Sequence, residues 1–209
     1  MALKTFVKIG NVNNLSDARY CAGMYVDLMG FSLEENDEYF VSPATYKEIT
    51  DWLSGLEYAA EFRVSHPENI LETLMDYEGI TYIQIEEPAH IQMLYNSGYQ
   101  LILKQTVHSN DDLEKLNTIV SSFGEHGIIL LLESENGFQV DETTWKGVKN
   151  LAASCEVLLG FGFDAGNVET LVAQTGVKGI NMKGGHEIKP GIKDFDELAE
   201  ILEALEIED

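Results

Sequence analysis

Short apolar segments with the composition of β-strands alternate with segments of helical spacing from one end of the chain to the other. Parallel strands need a crossover connection, usually a helix, so eight such strand–helix repeats predict a parallel sheet. The predicted strands are Thr5–Ile9, Asp27–Phe31, Tyr58–Arg63, Ile80–Ile85, Leu101–Lys104, Gly127–Leu132, Glu156–Phe161 and Gly179–Met182. The predicted helices are Ser16–Met24, Pro43–Ser54, Pro67–Tyr77, Pro88–Asn96, Asp111–Phe123, Thr143–Ala152, Asn167–Gln174 and Phe195–Ala204.

Two architectures accommodate this alternation, a closed (β/α)8 barrel and an open doubly wound sheet. The open sheet that binds dinucleotides carries Gly-x-Gly-x-x-Gly after its first strand, and this chain has no such pattern there. No linker or low-complexity tract interrupts the 209 residues. We therefore predict an α/β fold with one domain, residues 1–209, a single (β/α)8 TIM barrel.

The strongly negative net charge of the chain makes negatively charged binding partners unfavourable. There are 36 Asp and Glu against 13 Lys and Arg, a formal net charge of −23, which disfavours nucleic acids and anionic membranes. No apolar run is long enough to span a bilayer and no signal peptide precedes the first strand, so a cytoplasmic location is expected. The two cysteines, Cys21 and Cys155, are too few for a disulfide framework and are predicted to be buried thiols.

Two glycine-rich segments follow the last two predicted strands, where parallel barrels commonly bind phosphate. Backbone N–H groups and a helix N-terminus can hold a phosphate there, glycines allow its close approach, and a lysine adds a cation. The alternative is that these glycines only turn the chain. The predicted phosphate-binding residues are Gly160, Gly162, Asn167, Lys183, Gly184 and Gly185.

Carboxylates follow the fourth and sixth predicted strands, Glu86 and Glu87 after one and Glu133 after the other. A carboxyl group directly after a buried strand can act as a proton donor, so Glu133 is the candidate acid unless it only begins a solvated loop. Side chains alternate along a strand, so Glu86 rather than Glu87 is expected to lie near Glu133 at the barrel mouth. With His186 these residues could surround a divalent cation, but the spacing has no recognised metal-binding pattern, and we predict no metal and no cofactor.

The first strand and the start of the first helix carry the most specific motif. Val7-Lys8-Ile9, Asn14-Leu15 and Asp17-Ala18 match a family that typically reads Val-Lys-Ile-Cys-Gly, two residues, and Asn-Leu-x-Asp-Ala. The chain thus resembles phosphoribosylanthranilate isomerase, an enzyme of tryptophan biosynthesis. The resemblance implies a (β/α)8 barrel and an Amadori rearrangement, in which an acid opens the ribose ring and a base removes a proton. The family's base is the cysteine, whose position here holds Gly10, and Asn11 replaces the following glycine.

The same resemblance assigns further positions. Glu133 matches the aspartate that is the family's general acid, and Tyr39 stands where an arginine helps to bind the anthranilate carboxylate. Gln84 is kept near the end of the fourth strand, and Glu86 replaces a histidine. The ligand-binding positions implied in this way are Lys8, Asn11, Tyr39, Gln84 and Glu86.

These observations leave three functions open. The chain could be a working isomerase whose base has moved, a barrel enzyme with changed chemistry on a small phosphorylated or sugar-like ligand, or a non-catalytic relative that binds a ligand or partner. Glycine has no side chain that accepts a proton, so negligible isomerase activity is predicted for the native chain. A small phosphorylated ligand is the expected partner, and the expected state is a monomer or a homodimer.

Overall fold

The computed structural model describes residues 2–134, 138–184, 186–189 and 192–207, with the backbone alone for 186–189 and 192–194. Its strands are β1 (Phe6–Gly10), β2 (Leu28–Ser32), β3 (Glu57–Glu61), β4 (Ile80–Ile85), β5 (Gln100–Val107), β6 (Ile129–Ser134), β7 (Val157–Leu159), β8 (Gly179–Lys183), β9 (His186–Lys189) and β10 (Ile192–Asp194). The first eight form a closed barrel in chain order. All of their pairings are parallel, and β8 closes the barrel against β1 with Lys8 opposite Asn181 and Gly10 opposite Lys183. The predicted (β/α)8 barrel is confirmed.

Helices connect the strands on the outside of the barrel. The α-helices are α1 (Leu15–Gly23), α2 (Pro43–Thr50), α3 (Pro67–Thr73), α4 (Ile91–Leu94), α5 (Asn110–Ile119), α6 (Phe123–His126), α7 (Glu142–Ala152), α8 (Val168–Thr175) and α9 (Asp196–Ala204). Local sequence explains several of their ends. The Asn14 side chain accepts a hydrogen bond from the Asp17 amide at the start of α1, and Ser42 does the same for Thr45 ahead of α2.

Two apolar layers hold the barrel together. The strands, buried on both faces, pack outward against the helices in one continuous core that includes Val7, Ile83 and Leu159. A second, smaller cluster fills the inside of the barrel: Leu28, Ala59, Ile102, Ile129, Leu131 and Leu158, with Phe6 and Tyr82 packed against it. The inner cluster lies toward the amino ends and the middle of the strands. Inward-facing residues nearer the carboxyl ends of the strands form a separate layer.

Most predicted elements are present, and the differences have identifiable causes. The fifth strand was predicted as Leu101–Lys104, but β5 spans eight residues because its polar end continues the ladder with β6, with Thr106 opposite Glu133. The helix predicted over Pro88–Asn96 is only a 3₁₀ turn, Pro88–His90, followed by the single turn of α4. The antiparallel pair β9–β10 was not predicted at all. No helix in the described part of the chain is both long enough and apolar enough to cross a membrane.

Candidate active site

A polar cavity of about 20 Å³ lies at the carboxyl ends of the barrel strands. Ligand chemistry in barrels of this architecture is found at this end. The cavity is far smaller than the roughly 300–1,000 Å³ of typical small-molecule pockets. Its lining residues come from six of the eight barrel strands and the first loop: Lys8, Gly10, Asn11, Glu61, Gln84, Lys104, Glu133, Asn181 and Lys183.

The base of the cavity is an ion pair between Lys8 on β1 and Glu61 on β3. The Lys8 side chain is 1% exposed and that of Glu61 is 8% exposed. The Lys8 ammonium donates to Glu61 Oε1 and, at 3.2 Å, to Asn181 Oδ1 on β8. A buried charge is tolerated only when it is paired and hydrogen-bonded, and each of these contacts contributes to that.

Glycines on two strands leave the space for this pair. A Cβ atom added at Gly10 would lie 2.8 Å from Glu61 Oε1 and 3.1 Å from Lys8 Nζ. One added at Gly30, on the strand between Lys8 and Glu61, would lie 2.1 Å from the same oxygen. In this structure the volume that a side chain at position 10 would fill holds the Glu61 carboxylate.

Asn11 has a left-handed backbone, with φ of 57°. Asparagine adopts this conformation more readily than most residues other than glycine. This backbone geometry accompanies a hydrogen bond from the Asn11 amide to Glu61 Oε2 at 3.0 Å. Both carboxylate oxygens of Glu61 are thus held, one by a side chain and one by the backbone of the first loop.

Glu133, at the end of β6, is held by three groups. Its Oε1 accepts from Asn181 Nδ2 at 3.2 Å, and its Oε2 lies 3.5 Å from both Lys104 Nζ and Lys183 Nζ. Because Asn181 also accepts from Lys8, one continuous set of contacts runs from Glu61 through Lys8 and Asn181 to Glu133. Two carboxylates of the mouth are therefore linked across the barrel.

Lys104 on β5 joins Glu133 to Glu86. Its Nζ donates to Glu86 Oε1 at 3.0 Å and lies 3.5 Å from Glu133 Oε2. Burial lowers the pKa of Lys104, but the nearby carboxylates of Glu133 and Glu86 outweigh it and raise this pKa above its usual 10.5. Lys104 is therefore an ammonium ion at neutral pH. The two glutamates come together as expected, but across a lysine that sequence reasoning did not include.

The other polar groups around the mouth have different placements. The Glu87 side chain accepts from the Ala89 amide at 3.3 Å, at the start of a helical turn, as the alternation along β4 predicted. Arg63 extends from the end of β3 and places its Nε 3.9 Å from Glu86 Oε1. Among the described side chains, no group of three His, Cys, Asp or Glu is arranged to hold a metal ion. The side chain of His186, named in the possible metal site, lies outside the described residues.

Gln84 on β4 lines the cavity, and its buried Oε1 atom has no hydrogen-bond partner among the described residues. The residue is 6% exposed, and its neighbour in register on β3 is Glu61. A buried acceptor without a partner costs about 1–3 kcal/mol, so native structures contain few of them. The Gln84 Oε1 atom is one of these few.

Amides of the predicted phosphate loops already have partners. The Gly184 amide donates to Gly10 O at 3.0 Å, and the Gly166 amide donates to Asp164 Oδ1 at 2.8 Å. The Asn167 side chain accepts from the Asp164 amide at 2.9 Å. Lys183 remains the cation at this side of the mouth, and its side chain is 61% exposed.

Two other predicted phosphate-site glycines have packing roles, and a third cannot be placed. Gly162 has φ of 77°, and an added Cβ would lie 2.6 Å from the Trp145 ring. A Cβ at Gly160 would lie 2.9 Å from Leu132 O and 3.1 Å from Glu133 Cγ. Gly185 lies outside the described residues. Close packing explains the first two glycines in this structure.

Tyr39, predicted to bind the ligand, does not line the cavity. It is 36% exposed, and its amide donates to Asp37 Oδ1 at 2.8 Å in the loop after β2. Three residues that do line the cavity were missed as site residues: Glu61, Lys104 and Asn181. Each is a polar residue at or near the carboxyl end of a predicted strand that is otherwise mostly apolar, and this pattern was the available signal.

Both cysteines are buried, as predicted. Burial raises the pKa of Cys155 to about 11, and its thiol donates weakly to Leu151 O at 3.7 Å. At neutral pH this thiol is protonated, and only the thiolate is a good nucleophile. Neither cysteine lines the cavity.

Comparison with known proteins gives one consistent result. Residues 8–204 match the family model described as N-(5′-phosphoribosyl)anthranilate (PRA) isomerase. The N-(5′-phosphoribosyl)anthranilate isomerase of Nitrosomonas eutropha is 26% identical over 204 residues, covering 95% of each chain. That of Aquifex aeolicus is 24% identical over 200 residues, covering 94% of this chain and 96% of the relative.

Solved structures agree on the fold. The phosphoribosyl anthranilate isomerase of Thermotoga maritima superposes with a TM-score of 0.76 at 20% identity, covering 96% of this chain and 98% of that one. A second structure, with reduced 1-(O-carboxyphenylamino)-1-deoxyribulose 5-phosphate bound, has a TM-score of 0.75 at the same identity and coverage. At this level of identity the likeness establishes the barrel architecture.

Proposed function

This chain belongs to the PRA isomerase family, and we propose that it is a divergent member acting on a small phosphorylated, sugar-like ligand rather than on PRA. The observation that carries the proposal is the volume beside Gly10. A Cβ atom there would lie 2.8 Å from Glu61 Oε1, so a side chain fits only if the Glu61 carboxylate moves, and glycine itself supplies no proton acceptor.

The position expected to recognise anthranilate supports the same view. Tyr39 is exposed on a loop and lies outside the cavity, and it has no positive charge to pair with a carboxylate. The nearby Glu86 adds a negative charge that Lys104 neutralises. An anionic aromatic acid therefore gains little at this side of the mouth.

A phosphorylated ligand is supported by a relative and by one cation. The relative binds a deoxyribulose 5-phosphate derivative. In this chain Lys183, at the carboxyl end of β8, is the exposed cation of the cavity and can exchange its contact with Glu133 for a phosphate. We expect Lys183→Glu to abolish the gain in thermal stability that ribose 5-phosphate gives the wild type.

A direct test is turnover of PRA by the purified protein. We expect a rate at least about 10²-fold below the ordinary enzyme value near 10 per second, because position 39 has no arginine to hold the anthranilate carboxylate and a misplaced substrate can lose about 10²-fold. The triple variant Gly10→Cys/Glu61→Ala/Tyr39→Arg clears the space, restores a thiol beside Lys8 and restores the arginine. It should gain activity, and the matched variant with Gly10→Ser should not, because a serine lacks the acidity of a thiol next to a cation. Rapid turnover of PRA by the wild type would refute the proposal.

A non-catalytic role is the second candidate, and the closed charge network favours it. Lys8, Lys104 and Lys183 are each paired with a carboxylate of the mouth, so the cavity is complete without a substrate. Stabilisation of the wild type by ribose 5-phosphate with no chemical change in the sugar would support binding alone. A solved relative is dimeric; for this chain, a monomer or a homodimer remains a prediction that sedimentation velocity can check.

A further inference from the structure

We propose that Glu61 is the proton-accepting catalytic residue of the mouth, working with the Lys104 ammonium on the open-chain form of an aldose phosphate. This inference rests on the proposed function, which it deepens by naming the base and the substrate class. The sequence did not predict Glu61 as a site residue. The position of its carboxylate in the cavity is the reason for assigning it this role.

The surroundings of Glu61 fit this role. The carboxylate lines the cavity, and one oxygen accepts from Lys8 while the other accepts from the Asn11 amide. An ionised carboxylate has about four lone-pair sites, so two of them remain for a substrate proton. The two holding contacts come from different elements and fix the orientation of the group, as a positioned base requires.

Glycines provide the room that this carboxylate needs. Gly10 and Gly30 both present backbone to it, and a Cβ at either position would lie within 3 Å of Glu61 Oε1. Two neighbouring strands, β1 and β2, therefore leave open the space that this oxygen occupies. A purely structural ion pair at the same depth would need the same space, so only a measurement of proton exchange from the substrate distinguishes the two roles.

The unpaired oxygen of Gln84 points to the class of substrate. Glu61 and Gln84 are register neighbours on β3 and β4, and Gln84 Oε1 has no hydrogen-bond donor among the described residues. A group bound there must offer an O–H or N–H. A sugar hydroxyl meets this requirement.

The reaction balances without an outside reagent. Glu61 removes the proton on C2 of the aldose, the electron pair of that bond forms the C1–C2 double bond, and the carbonyl oxygen on C1 takes a proton from the Lys104 ammonium, which lies 3.5 Å from Glu133. Glu61 then returns its proton to C1, and the hydroxyl on C2 gives its proton to Lys104. The product is the 2-ketose, and both side chains return to their starting states.

The experiment measures the exchange of the C2 proton of ribose 5-phosphate in D₂O by NMR, with binding followed separately by calorimetry. We expect wild type to exchange it, Glu61→Gln to slow the exchange by roughly 10²-fold or more with binding retained, and Glu61→Asp to keep part of the rate. Glu57→Gln, the same substitution at the other end of β3, is the matched control and should behave as wild type. Because Glu61→Gln leaves Lys8 unpaired, Lys8→Met/Glu61→Gln provides a second variant if the first does not fold.

The outcomes separate the two proposals. Failure of ribose 5-phosphate to bind the wild type overturns the proposed ligand class and the role of Glu61 with it. Binding without exchange, or exchange that survives both Glu61→Gln and the double variant, overturns the role of Glu61 alone. Exchange lost in folded variants that still bind the sugar supports it.

Discussion

Lys8 on β1 and Glu61 on β3 form a buried ion pair that spans the intervening strand β2 at Gly30. The pair occupies the volume into which a side chain at position 10 would project. Gly10 and the Glu61 carboxylate therefore share one volume. A substitution at either position is expected to act on the other.

Gly10→Ala should destabilise the protein. Its new methyl group would lie 2.8 Å from Glu61 Oε1, and overpacking of this kind costs about 1–3 kcal/mol. Chemical denaturation gives the free energy of unfolding. Gly23→Ala is the matched control, since a Cβ there meets nothing within 4 Å, and it should be neutral or slightly stabilising. A Gly10→Ala protein as stable as wild type would show that the ion pair does not occupy this volume.

Breaking the buried ion pair should cost far more than breaking an exposed one. Lys8→Met and Glu61→Gln should each lower the free energy of unfolding by about 3–5 kcal/mol, because either leaves a buried group without its partner. The double variant should cost less than the sum, which a double-mutant cycle measures. The exposed pair Lys47–Asp51 is the control, and Lys47→Met should change stability by less than about 0.5 kcal/mol. Additive effects at Lys8 and Glu61 would contradict the pairing.

Acid should remove the contribution of Asp112 at the start of α5. The hydrogen bond from Lys115, with those from the backbone of His108 and the Ser109 hydroxyl, lowers the pKa of Asp112 to about 2. A pKa lower in the folded state gives stability that is present above about pH 4 and is lost as pH falls toward 2. Asp112→Asn should therefore lower the melting temperature at pH 7 and have little effect at pH 2. Asp111→Asn, one residue earlier, is the control; an equal loss from both variants would point to net charge instead of the cap.

Cys155 should be unreactive in the folded protein. Burial raises the pKa of its thiol to about 11, so the thiolate is scarce at pH 8. Labelling with iodoacetamide at that pH, followed by peptide mass analysis, should modify Cys155 only after denaturant is added. Rapid labelling of the native protein at this position would mean that the helix end around Leu151 opens readily.

The sequence determined the architecture because its signals are local and repeated. Apolar runs of strand length separated by helical segments allow few arrangements, and caps such as Asn14 and Ser42 mark helix starts within a few residues. The barrel and the positions of Glu133, Lys8 and Lys183 at its mouth followed from this alternation and from the family motif. The hairpin β9–β10 was not predicted because its strands, of 4 and 3 residues, are too short to show the alternation that identifies a strand.

Tertiary structure alone decided which charges meet. Glu61 lies 53 residues along the chain from its partner Lys8, and Lys104 lies 18 residues or more from its partners Glu86 and Glu133. No local spacing in the sequence connects these charges. Closure of the barrel places β1 beside β8 and brings Asn181 between Lys8 and Glu133. The sequence could show a glycine where a base was expected. It could not show the carboxylate that fills this space, because that carboxylate comes from a strand distant along the chain. Only the folded barrel brings the two positions together in one small volume.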